Sequence, residues 1–134
     1  MINPQSALIY TMVLMSAADR HMTDSELQSM GDMVKHLPIF RHYDPSNLTD
    51  TARECATLLS DADGLDKTLG LIESALPKRL RETAYALACE IAAADGRASQ
   101  EELRLLEMIR HRLDVGRLEA AAIERGARAR FATV

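Results

Sequence analysis

The chain has 134 residues, 47% of them apolar and 27% charged, with a net charge of −4. That balance fits a soluble domain with its own core and excludes a disordered chain. It also speaks against nucleic-acid binding by bulk attraction, which needs a basic surface. Aromatic residues are scarce, and Ala, Leu and Met supply most of the apolar share. These are helix formers, and no window alternates as a half-buried strand does, so an all-α fold is expected in a single domain spanning residues 1–134.

A first helix is expected over residues 5–18. Ala7, Leu8, Ile9, Met12, Val13, Leu14, Met15, Ala17 and Ala18 cover nearly its whole circumference, the pattern of a buried helix. Its apolar run is too short to cross a bilayer, so no membrane span is expected. Residues 1–8 carry no Lys or Arg, as a secretory signal would. A second helix, over 24–36, is amphipathic, with Leu27, Met30, Met33, Val34 and Leu37 as its stripe. Pro38 stops it. Pro45 suits the first turn of a third helix, over 45–60, with Asp44 as its cap. That helix presents Leu48, Ala52, Cys55 and Leu59. The DADG stretch at 61–64 reads as a turn, followed by a fourth helix carrying Leu65, Leu69, Ile72 and Leu76. Pro77 marks the next break.

The fifth helix, over 78–94, is apolar almost all round through Ala84, Tyr85, Leu87, Ala88, Cys89, Ile91 and Ala92. The sixth, over 100–112, carries Leu103, Leu106, Ile109 and Leu113. A weaker seventh follows Val115, with Leu118, Ala121, Ala122 and Ile123. Residues 110–134 hold six Arg against three acids, which reads as a solvated terminal helix. Cys55 and Cys89 are not in a C-x-x-C and fall in apolar helical patterns. They are expected as core packing in a reducing cytoplasm.

One acidic segment is written twice: AADRHMTDSEL at 17–27 and AADGRASQEEL at 93–103. The offset, Asp95 minus Asp19, is 76. It places Met12 on Ala88, Met15 on Ile91, Thr23 on Ser99, Glu26 on Glu102, Leu27 on Leu103, Met30 on Leu106, Met33 on Ile109 and Leu37 on Leu113. Each copy is a buried helix, a tight acidic loop and an amphipathic helix. The expectation is two helical hairpins, 7–37 and 84–113, packed about a pseudo-twofold axis, with the third and fourth helices closing the bundle.

Part of the repeated loop is helix chemistry. Thr23-x-x-Glu26 and Ser99-x-x-Glu102 fit the capping box, and Gly96 suits a left-handed residue after the fifth helix. Asp19 and Asp95 are left over. Each sits at the C-terminal end of a helix, where its charge meets the negative end of the dipole. If the loops meet, Asp19, Asp24, Glu26, Asp95, Glu101 and Glu102 form an acidic cluster. Oxygen ligands of this kind suit a divalent cation such as Ca²⁺ or Mg²⁺, and His21 adds a nitrogen donor for Zn²⁺.

Paired helices joined by AADG-x-x-[ST]-x-x-E loops resemble the tellurite-resistance TerB family and TerB-like domains. The resemblance rests on Asp19, Thr23 and Glu26, then on Asp95, Gly96, Ser99 and Glu102, and covers most of the chain. It implies a bundle of about seven helices and a cytoplasmic protein tied to tellurite resistance or general stress response. It also implicates the acidic loop residues in metal or partner binding. Arg20 stands where the family usually has Gly, so the two loops are not identical.

Other chemistries find no support. DADGLD at 61–66 begins like an EF-hand loop, but Asp66 stands where Gly is required and Ile72 where the bidentate Glu belongs. His21, His36, His42 and His111 form no H-E-x-x-H. No nucleophile elbow, phosphate loop or His-Pro-Asp triplet occurs. The expected function is a non-enzymatic stress-response module that binds a cation or a protein partner through the paired loops. The alternative is a structural or homodimerising domain whose loops are only caps.

Overall fold

The structure, a computed structural model, describes residues 2–18, 23–94 and 98–134. Seven α-helices follow in chain order: α1 Pro4–Ala17, α2 Asp24–His36, α3 Leu48–Leu59, α4 Gly64–Ala75, α5 Lys78–Ala93, α6 Gln100–Arg112 and α7 Arg117–Arg130. Two 3-10 turns, Pro38–Phe40 and Pro45–Asn47, lie between α2 and α3. No strand occurs among the described residues, and no helix among them is long and apolar enough to cross a membrane. The fold is all-α, as the composition predicts.

α1 is the central element. Every residue from Ala7 to Ser16 is buried, and the helix packs against α5, α3 and α4 most extensively. Asn3 starts it by accepting from the Ser6 amide at 2.8 Å, with Pro4 in the first turn. This is where Asn and Pro relieve unpaired amides at no cost. Thr11 is the polar exception inside, and its hydroxyl returns to the Ala7 carbonyl at 2.8 Å. α5 is the second buried helix. Met12, Met15, Leu87, Cys89 and Ile91 are all in the core, as their all-apolar surroundings predict.

α3 begins later than its sequence suggests. Asp44 caps Ser46 at 3.0 Å, but Pro45–Asn47 closes as a 3-10 turn before the α-helix starts at Leu48. α4 follows after a turn in which Gly64 is buried. A Cβ there would run into the backbone of Leu58 and Leu59, so the DADG turn needs its glycine for close approach. α6 is tied to α4 by Arg112, which donates to Glu73 at 2.9 Å and Asp66 at 3.0 Å. α7 rests mainly on α5.

Four leucines assigned to inward stripes face outward instead: Leu27, Leu65, Leu103 and Leu118. In α2 the inward positions are Glu26, Met30, Met33 and Val34. In α6 they are Glu102, Leu105, Leu106 and Ile109. The capping Glu occupies the core-facing slot of the first turn, so the next residue is carried about 100° around the helix toward solvent. Leu27 and Leu103 are accordingly 50% and 47% exposed. In α4, Thr68 and Leu69 take the inward places. In α7 the stripe is Ala120, Ile123 and Ala127, so Leu118, Ala121 and Ala122 lie outside it.

Candidate functional site

Both loop copies end in a complete capping box. Thr23 accepts from the Glu26 amide at 3.1 Å, and Glu26 Oε1 accepts from the Thr23 amide at 2.9 Å. Ser99 accepts from the Glu102 amide at 3.1 Å, and Glu102 Oε1 accepts from the Ser99 amide at 2.8 Å. The reciprocal pattern satisfies two amides that the helix start would leave unpaired. Glu26 and Glu102 are only 1% and 4% exposed. Burying a carboxylate is costly unless it is hydrogen-bonded, and these two are. Both acids therefore serve the helix start and commit one oxygen to it.

Asp24 and Glu101, which follow the two caps, are exposed. They sit in the first helical turn, where a negative charge meets the positive end of the dipole. Asp19, His21, Asp95 and Gly96 lie outside the described residues, as does Arg20. Among the described residues no group of three or more His, Cys, Asp or Glu is placed to hold a metal ion. The four described carboxylates of the expected cluster do not form such a group by themselves.

A groove of about 340 Å³ bears on whether the loops meet. Leu14, Ala17 and Ala18 from the end of α1 line it together with Glu101, Arg104, Leu105 and Met108 from α6. The last described residue before the first loop thus shares a wall with the first turn after the second loop. Ala17, read as part of an all-round apolar helix, is exposed there.

A second feature carries no motif. The Tyr85 hydroxyl on α5 donates to Glu124 Oε2 on α7 at 2.5 Å. Burial pushes the Tyr85 hydroxyl well above its usual range, and the bond to Glu124 pushes it further. Burial, then the Glu124 charge, pushes the neighbouring Cys89 thiol up to about 12. Cys55, which faces the Tyr10 carbonyl at 3.8 Å, is pushed up to about 12 by burial. Both thiols stay protonated at neutral pH and behave as small apolar groups. The one available signal was Tyr85 itself. A buried tyrosine in an Ala-rich helix needs a partner for its hydroxyl, and only a packed α7 supplies it.

The model of the family described as tellurite resistance protein TerB matches residues 5–125 of this chain. No curated protein and no solved structure matches it.

Proposed function

Since this chain belongs to the TerB tellurite-resistance family, we propose that it is a non-enzymatic cytoplasmic stress-response module whose two acidic loops form one binding face. The face takes a divalent cation (Ca²⁺, Mg²⁺ or Zn²⁺) or the basic surface of a protein partner. The observation that carries this reading is the shared groove of Ala17, Ala18 and Glu101. It brings the end of the first loop's helix against the start of the second loop's helix. Asp19 and Asp95 are its central ligands, with Asp24 and Glu101 at its edge. Glu26 and Glu102 hold the loops in shape through their caps. Tellurite itself is not the ligand, because an oxyanion is repelled by a carboxylate face.

One observation favours a second reading, a purely structural domain: both capping boxes are complete. The two readings differ in sign for Asp19→Asn with Asp95→Asn. If the face binds a cation, the double variant loses all metal-dependent stabilisation. It also melts higher than the parent in metal-free buffer, because like charges and the dipole clash are removed. If the two aspartates accept backbone hydrogen bonds, the variant melts lower and ignores metal. Thermal melts with and without Ca²⁺ or Zn²⁺ decide between them, and a destabilised, metal-indifferent variant defeats the cation reading.

A further inference from the structure

A larger groove, about 650 Å³, lies between α5, α6 and α7. Its volume is that of a pocket for a small organic ligand. Ala92, Ala98, Leu103, Leu106, Ala127 and Phe131 supply apolar wall, and Leu103 stands on its rim because the capping Glu102 displaced it. The polar part is compact: Tyr85, Cys89 and Glu124 on the inner side, with Glu107 and Arg128 also lining the groove.

The three charged residues are not equivalent. The Glu107 side chain is 64% exposed and faces Arg110 at 3.8 Å and His111 at 3.5 Å. Arg128 is exposed. Water screens both. Glu124 is half-buried and is anchored by the 2.5 Å bond from the fully enclosed Tyr85 hydroxyl. A charge in the less hydrated place acts through a lower dielectric, so Glu124 sets the sign inside the groove. A carboxylate has room for about four hydrogen bonds, and the tyrosine takes one. The remaining capacity is acceptor only. It calls for a ligand that brings donors and positive charge at one end and apolar surface along the rest.

We propose that this groove binds an amphiphilic organic cation, a molecule with an ammonium head and an apolar chain. The head pairs with the Glu124 carboxylate, oriented by Tyr85. The chain lies on Ala92, Leu103, Leu106 and Phe131. An anionic amphiphile of equal length meets the same carboxylate with the wrong sign, so the site discriminates by head group rather than by area. This site shares Ala98 and Leu103 with the second acidic segment but uses none of its carboxylates.

The test is a titration of the full chain with octylammonium, octanoate and 1-octanol, followed by calorimetry and by amide shifts in NMR. Octylammonium binds at one site and shifts the amides of Ala92, Ala98, Leu103 and Ala127. It binds at least about tenfold tighter than the other two, the size of one charge-assisted contact. Glu124→Gln brings octylammonium down to the level of octanol. Because that change also touches the link between α5 and α7, Leu103→Arg is the second variant. It alters an exposed rim residue, and its added cation weakens octylammonium without lowering the thermal midpoint. Octanoate binding as tightly as octylammonium overturns the proposal, as does undiminished octylammonium binding in both variants. Absence of binding by all three probes, or shifts confined to other helices, overturns it equally.

Discussion

The segments 7–37 and 84–113 match in burial at several described positions, differ at others such as Val34 and Arg110, and then leave in different ways. At the 76-residue offset, Met12 and Ala88 are both fully buried, as are Met15 and Ile91. Glu26 matches Glu102 inward, and Leu27 matches Leu103 outward. The step breaks at Pro38 and Asp114, which the same offset pairs. Before Pro38 the chain is extended at Leu37 (φ −72°, ψ 139°) and passes through two 3-10 turns to α3. Asp114 instead takes a left-handed turn (φ 54°), and the Val115 amide bonds back to the Arg110 carbonyl at 3.0 Å. That closing bond reverses the chain at once into α7.

The difference teaches which residues do which job. The N-terminal cap sets where each second helix starts and which face it buries. The exit residue decides what packs next on the first helix. α3 covers α1 and α7 covers α5, but α1 also receives α4 and is enclosed on all sides. α5 keeps a charged first turn and leaves beside α7 the groove that holds Tyr85, Cys89 and Glu124.

Truncation in the two buried helices should have the largest effect. Met15→Ala and Ile91→Ala occupy matched positions, both fully buried. Each should cost about 2–5 kcal/mol, with the value set by how far the site collapses. Urea unfolding measures both. Comparable losses support equivalent hairpins. A loss well below 1 kcal/mol at Ile91 alone would make α5 peripheral and break the equivalence.

Much of this was legible in the sequence, because helix period, caps and prolines are local signals. The all-α class, the two buried helices and the cap residues followed from Met, Ala and Leu patterning and from the Thr23 and Ser99 spacings. The exposed leucines were not legible. A period-based reading counts Leu27 and Leu103 as apolar and Glu26 and Glu102 as polar, and cannot see that a capping Glu must point inward to reach its own N-cap. The Tyr85–Glu124 pair was hidden for a different reason. It joins residues 39 apart, and its partner lies on a helix whose own pattern is weak. The cap roles of Glu26 and Glu102 were legible from their spacing to Thr23 and Ser99, but their burial was not, because it depends on the helices packed over them.

Cap removal comes next in size. Thr23→Ala and Ser99→Ala should each cost about 0.5–2 kcal/mol, because each leaves an amide of the first turn without its partner. The comparison predicts similar losses, since the reciprocal amide bonds of the two boxes agree to within 0.1 Å. Denaturant midpoints of the two single variants read this directly. A loss at one cap and none at the other would show that the two caps differ in energy despite their matched distances, with Arg20 against Gly96 as the first sequence difference to exchange.

The smallest effect should raise stability, and it separates the hairpins at one more matched pair. Gly31 in α2 falls on Glu107 in α6. A Cβ at Gly31 meets no atom within 4 Å, so the glycine is not required by packing in the isolated chain. Gly in a helix interior costs backbone entropy that Ala does not, and Gly31→Ala should therefore stabilise by about 0.4–1 kcal/mol. Gly126→Ala in α7, where a Cβ is equally unobstructed, serves as the reference and should gain a similar amount. The informative failure is a loss at Gly31 alone that grows with protein concentration. It would mean that a second chain approaches the α2 backbone there, closely enough to exclude a methyl group. The outer faces of α2 and α6 would then differ in function, the first an interface between copies and the second solvent-facing through Glu107. A concentration-independent gain at both glycines would leave the outer face of α2 as open to solvent as that of α6 at Glu107.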